Sequence, residues 1–175
     1  MKIYSIDTET TGINPVKNDI LTIGAVVAEL IDETITITSY FNEVFYKKTL
    51  SISGGAYKIN KTLLDYYFSH KMHQPDYSNT DFFHTDDVDI PTVDSEYYER
   101  IVSSLFENLI LPNSHDDVFF AGSFDFSDVL IIGKNYDKFD REFLLNSINK
   151  HGNTDRTKML TKLLDRTSYD IGIGC

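Results

Sequence analysis

This 175-residue chain has one cysteine, Cys175, at its very end. A single thiol excludes an internal disulfide framework and a cysteine-based zinc site. A thiol in the last position also has few neighbours to tune it as a nucleophile. Long apolar runs are missing too. None approaches the roughly 18–20 residues that span a bilayer. The opening "MKIYSIDTET" lacks the basic-then-apolar layout of a signal peptide. The expectation is a cytoplasmic protein with no membrane contact. Positive charge is scarce, with 16 Lys and Arg against 27 Asp and Glu, a formal net charge of −11. That argues against a broad basic face gripping duplex phosphates. A nucleic-acid partner would have to be held by bridging metals and a few local contacts. Internal repeats and low-complexity tracts are absent as well.

What is present is ordinary globular material, 41% apolar and 25% charged. The length suits one domain, residues 1–175, with a real core. "MKIYSID" alternates and then turns polar, as a strand does before a functional loop. "DILTIGAVVAEL" reads as a buried strand and "TITITSYFNEVFY" as a third. Two short gaps, one with Asn and Pro and one with Asp and Glu, join them into an antiparallel meander. "NKTLLDYYF" reads as a short helix capped by Asn60. Residues 76–99 form a long acidic loop, a solvated stretch without calcium-loop spacing. "DSEYYERIVSSLFENLIL" sets Ile101, Leu105 and Leu109 at helical spacing, and Pro112 stops it. Two β-like runs follow, "DVFFAGSF" and "DVLIIGKN". "FDREFLLNSINKHG" reads as a helix with Phe139, Phe143, Leu144 and Ile148 on one side and Gly152 as its stop. "RTKMLTKLLDRTSYDIGIGC" contains a further helix. The whole is an α/β domain with a mixed sheet.

The candidate chemistry starts at "SIDTETTG". Asp7 and Glu9 are two positions apart, so on a strand both carboxylates project from one face. Like charges that close repel unless a proton or cation lies between them. Hard oxygen donors of this kind suit magnesium or manganese. Thr10, Thr11 and Gly12 then turn the chain and expose N–H groups that can meet an anion. A plain pair of surface acids at a strand end accounts for the spacing equally well.

The longer string decides more. "DTETTGINPVKNDILTIGAVV", Asp7 to Val27, resembles the first motif of the DEDD superfamily of 3′–5′ exonucleases, DnaQ-like and RNase T-like, whose opening reads D-x-E-T-T-G. "GGAYKINKTLL" is loosely similar to the connection after that family's third strand. "VLIIGKNYDKFDREFLLNSI" resembles its second motif, with Phe139, Asp140, Phe143 and Leu144 matching letter for letter. Asn135 stands one residue further from Asp140 than the common pattern has it. "FFAGSFDFSDVL" offers Asp125 as a competitor. Asp140 is preferred, because "FSDVLIIG" reads as strand where the acid should open a helix. The third motif, a His or Tyr base and a last Asp on a final helix, has no good match. His151 and Asp155 have three residues between them where the histidine version has four, and Gly152 and Asn153 read as a turn. Tyr169 and Asp170 are adjacent, which does not fit the tyrosine version. "LLDRTSYDIGIG" is similar instead to a segment that some phage exonucleases carry before that motif. On this resemblance the domain is expected to be incomplete at its C-terminal end.

The resemblance implies a ribonuclease-H-like α/β fold, a mixed five-stranded sheet made of a three-strand antiparallel meander plus parallel strands, flanked by helices. It implies two divalent ions, Mg²⁺ or Mn²⁺, about 3.5–4 Å apart. Asp7 would bridge both, Glu9 would hold the ion that positions the attacking water, and Asp140 would reach the second. Thr10, Thr11, Gly12 and Asn135 would meet the substrate, the 3′ end of single-stranded DNA or RNA, releasing nucleoside 5′-monophosphates. Tyr57, Tyr66, Tyr67 and Phe68 are candidates for base stacking, and Lys58 and Lys61 for phosphate contact. The alternative is a catalytically silent nucleic-acid-binding or regulatory module on the same fold.

Overall fold

The computed structural model describes residues 1–47, 49–71, 93–113 and 125–171. Strand β1 (Lys2–Thr10) alternates as its sequence demands. Tyr4, Ile6, Thr8 and Thr10 are buried, whereas Asp7 and Glu9 are exposed. β2 (Ile20–Ile31) and β3 (Thr34–Val44) complete an antiparallel meander. Asp32 and Glu33 turn between them with φ of 48° and 64°. A two-residue hairpin that follows the strands' own twist needs left-handed backbone at both positions.

On the other side of β1 lie β4 (Val129–Gly133) and β5 (Ser168–Asp170), both parallel, giving the sheet order β3-β2-β1-β4-β5. This is the expected five-stranded mixed sheet. Its fifth strand comes from Ser168–Asp170, which the sequence reading had not set apart. The run "DVFFAGSF", residues 117–124, lies outside the described residues. The chain is closely packed at Gly133, where β4 ends: a Cβ there would lie 3.1 Å from Tyr136 Cβ and 3.3 Å from the Ile6 carbonyl oxygen.

The helices are α1 (Gly54–Ile59), α2 (Lys61–Lys71), α3 (Val93–Leu105), α4 (Asp140–His151) and α5 (Asp155–Leu164). α3 runs on into a π-helical turn, Phe106–Ile110, before Pro112. Part of the expected acidic loop is therefore helix. Residues 94–99 belong to α3, where Tyr97 and Tyr98 are buried on its inner face. Most of the rest of that loop falls outside the described residues. Ile101, Leu105 and Leu109 are wholly buried, as their spacing predicts, and join Tyr4, Ile6, Ile131, Phe143 and Leu164 in the main core. A smaller cluster sets Leu64 and Tyr67 of α2 against Leu21. The sheet face carrying Asp7 and Glu9 stays open, with Val26, Ile37 and Tyr40 exposed, Tyr40 by 80%. Among the described residues no helix is long and apolar enough to cross a membrane.

Candidate active site

β4 pairs with β1 only from Lys2 to Ser5. Beyond Ser5 no strand among the described residues lies beside that edge of β1, and the first residue of α4 takes the place. The Thr8 N–H donates to Asp140 Oδ1 at 2.8 Å and the Thr8 hydroxyl donates to the same oxygen at 2.7 Å. Asp140 is 2% exposed, so two donors meet a carboxylate that has been taken out of water. Burial raises its pKa, the Thr8 donors oppose that, and Asp7 adds to the rise. The residue between the paired acids thus holds the third acid.

Asp7 and Glu9 stand on the open face, opposite Gly24 and Thr22 of β2. Gly24 brings no side chain, and a groove of about 500 Å³ runs past Asp7 and Glu9 to Asn42 and Tyr40 of β3. Partial burial raises the Glu9 pKa, the Asp7 charge raises it further, and a hydrogen bond from Asn60 opposes both. Asp7 therefore acts on Glu9 and on Asp140 alike.

In the turn after β1 the Thr11 N–H donates to the Asp19 carbonyl at 2.9 Å. Thr10 and Thr11 are buried. The Thr10 hydroxyl donates to the Gly12 carbonyl at 2.6 Å, and Thr11 Oγ1 accepts the Asp19 N–H at 2.8 Å. Their side chains shape the turn and do not face outward. Gly12 packs so tightly that a Cβ would lie 2.3 Å from Asn18 Oδ1. Asn60, read from the sequence as a helix cap, sends its side chain to β1, donating to the Thr10 carbonyl at 3.1 Å beside Glu9. A polar residue before a helix was legible; its reach across to β1 was not. Asp19 was also missed. It is buried, bonds Lys47 Nζ at 2.9 Å and accepts the Ser51 N–H at 3.1 Å, fastening the turn to the chain beyond β3.

The other candidates lie apart or serve other contacts. Asn135 has left-handed backbone, and its N–H donates to Asp170 Oδ1 at 3.1 Å, so it ties β5 to the end of β4. Asp125 precedes β4, beside the start of β1, at the opposite end from Glu9. There it accepts the Ser127 N–H at 2.8 Å. His151 ends α4, roughly 16 Å along the helix from Asp140, and pairs with Glu99. Asp155 opens α5 and pairs with Lys158. Neither joins Asp7. Tyr67 is wholly buried, and Tyr57, Tyr66 and Phe68 are 40–48% exposed. Lys61 pairs with Asp65, and Lys58 lies in the last turn of α1.

Among the described residues no three Asp, Glu, His or Cys side chains converge enough to cage a cation by themselves. Magnesium does not need such a cage, since one or two carboxylates commonly hold it together with substrate phosphate and water. Asp7 and Glu9 supply that donor set, and their mutual repulsion is what a cation would relieve.

The mixed five-stranded sheet, flanked by helices and with acids at the end of its central strand, is an α/β architecture of the ribonuclease-H-like fold. Solved structures of E. coli exonuclease I share the fold. Its zinc-bound complex with single-stranded DNA superposes with a TM-score of 0.52 at 16% identity, covering 97% of this chain and 28% of that one. Its complex with a dT13 oligonucleotide gives 0.53 at the same identity and coverage. This chain thus spans less than a third of the length of exonuclease I. No protein-family model matches the sequence, and no curated protein sequence does.

Proposed function

We propose that this domain is a metal-dependent 3′–5′ exonuclease of the DEDD type, acting on the 3′ end of single-stranded DNA or RNA and releasing nucleoside 5′-monophosphates. The observation that carries the reading is the arrangement on β1. Asp7 and Glu9 share an open face while Thr8, between them, fixes Asp140. The fold shared with exonuclease I, solved with single-stranded DNA, points the same way. Asp7 and Glu9 would hold Mg²⁺ or Mn²⁺, with Asp140 approaching from the end of α4. Bound there, divalent metal supplies charge neutralisation at the attacked phosphodiester and a more acidic water. Asn60 orients Glu9, and the groove past Gly24 admits the strand.

A second reading has its own support. Among the described side chains the one histidine, His151, is engaged with Glu99 at the far end of α4. A site with no histidine beside it among the described residues fits a metal-competent module that binds nucleic acid and does not cut it. A 5′-labelled oligonucleotide, as DNA and as RNA, with Mn²⁺, Mg²⁺ or chelator, separates the two. The exonuclease gives a ladder shortening from the 3′ end that chelator and Asp7→Asn abolish and Asp125→Asn leaves intact. An intact oligonucleotide, with folded protein whose melting temperature Mn²⁺ still raises, establishes the silent module.

A further inference from the structure

We propose that the groove between α4 and α5 is a second binding surface, one that grips the phosphodiester backbone of the strand whose end the site takes. For the chemistry of its ligand it rests on the exonuclease reading.

In a chain of net charge −11, four of the 16 Lys and Arg fall between Arg156 and Arg166. Arg156 turns toward Glu99. The other three, Lys158, Lys162 and Arg166, recur every four residues and so share one side of α5 and its end. They line a groove of about 620 Å³ against Asn149 and Asn153, over Ile148. At helical rise Lys158 and Lys162 stand roughly 6 Å apart along α5, with Arg166 beyond the helix end, a spread suited to successive phosphates of one strand.

Three acids lie near these cations: Asp125, which accepts the Ser127 N–H and feels the charges of Lys162 and Arg166, then Asp165 and Asp155. Asp165 accepts Arg141. Asp155 pairs with Lys158 at 3.3 Å across two exposed side chains, a bond that water or a ligand exchanges readily. Arg166 donates through Nη2 to the Ser127 carbonyl at 3.0 Å. Its Nε is buried and finds no hydrogen-bond partner among the described residues. Asp165, on its wall, is bound by Arg141, the residue after Asp140.

The test is fluorescence anisotropy of a labelled oligothymidylate in chelator, so that neither metal nor cutting contributes, across a series of salt concentrations. Lys158→Gln/Lys162→Gln should weaken binding several-fold and flatten the log–log salt dependence by about 1.4, at roughly 0.7 per lost single-strand phosphate contact. Arg100→Gln, which removes exposed charge on α3, should leave the slope within about half a contact of the wild type. The proposal is overturned if the wild type does not bind, if the double variant keeps wild-type affinity and slope, or if Arg100→Gln has as large an effect. Hydrolysis of the p-nitrophenyl ester of thymidine 5′-monophosphate by the wild type with Mn²⁺ tests the exonuclease reading alone. Its absence would sink that reading, while the chelator experiment still decides the groove.

Discussion

Thr8 is where sequence and site meet most closely, because one residue serves the strand and the candidate site together. Its N–H and hydroxyl both end on Asp140 Oδ1 in a buried setting. Asp140→Ala would strand both donors and should destabilise the domain by about 1–3 kcal/mol. Asp140→Asn keeps an acceptor in place and sheds a buried charge that Asp7 repels, so it should lose clearly less. Urea midpoints of the two variants decide it; equal losses would mean that Thr8 requires the charge and not merely an acceptor. Gly12 carries a second prediction. An added methyl collides with the Asn18 side chain, whose Oδ1 accepts the Asn14 N–H and whose Nδ2 donates to the Ser51 carbonyl. Gly12→Ala should lower stability by about 1–3 kcal/mol through overpacking. With Asn18→Ala beside it the loss should be less than the sum of the two single losses, since the collision is gone. Strict additivity in melting curves would show that the contact is relieved some other way. Asp7 and Glu9 were legible because period-two alternation fixes which side chains share a face. The inward turn of Thr10 and Thr11 was not, because it depends on Asp19, eight residues on from Thr11, folding back to meet it.

At the scale of elements, what could be read was what repeats. β1 to β3 carry enough alternation, and α3 to α5 enough apolar spacing, to declare themselves. α1 has six residues and buries none of them, so no pattern marks it. β5 has three residues and exists because β4 offers it an edge. The ends of α3, α4 and α5 are held together by charge. Glu99 accepts His151 and the Ser103 hydroxyl and lies 3.7 Å from Arg156. The His151 bond lowers its pKa below the usual 4.5; burial opposes this, and the Ser103 bond and the charges of His151 and Arg156 add to the lowering. A carboxylate depressed in the folded state contributes stability that is present in full above its unfolded pKa and is lost as pH falls through the folded value. Wild type should therefore exceed Glu99→Gln at neutral pH, by on the order of 0.5 kcal/mol for so exposed a network. That margin should shrink once pH drops below 4.5. Chemical denaturation of both proteins across acid pH tests this. A margin that holds constant into strong acid would mean that the carboxylate's ionisation contributes nothing to joining the helices.

The whole molecule is a strongly acidic object, with a formal net charge of −11. Self-repulsion of that kind weakens the compact state. Among the described residues most ion pairs include an exposed partner and add little; Lys47 with Asp19, both largely buried, is the exception there. Raising NaCl from low to physiological strength should therefore raise the melting temperature, because repulsion is screened and few useful pairs are lost. A fall would mean that attractive pairs dominate after all. The same experiment isolates the candidate metal pair. MgCl2 matched to NaCl in ionic strength screens diffuse charge in both cases, so any further rise belongs to specific binding. At a hundred times its dissociation constant a ligand bound only by the folded state adds about 2.7 kcal/mol. Wild type should show such an excess, and Asp7→Asn, with half of the pair neutral, should lose it while keeping its response to NaCl. If both proteins gain equally from magnesium, the ion is answering the acidity of the surface as a whole, and Asp7 and Glu9 are not where it binds.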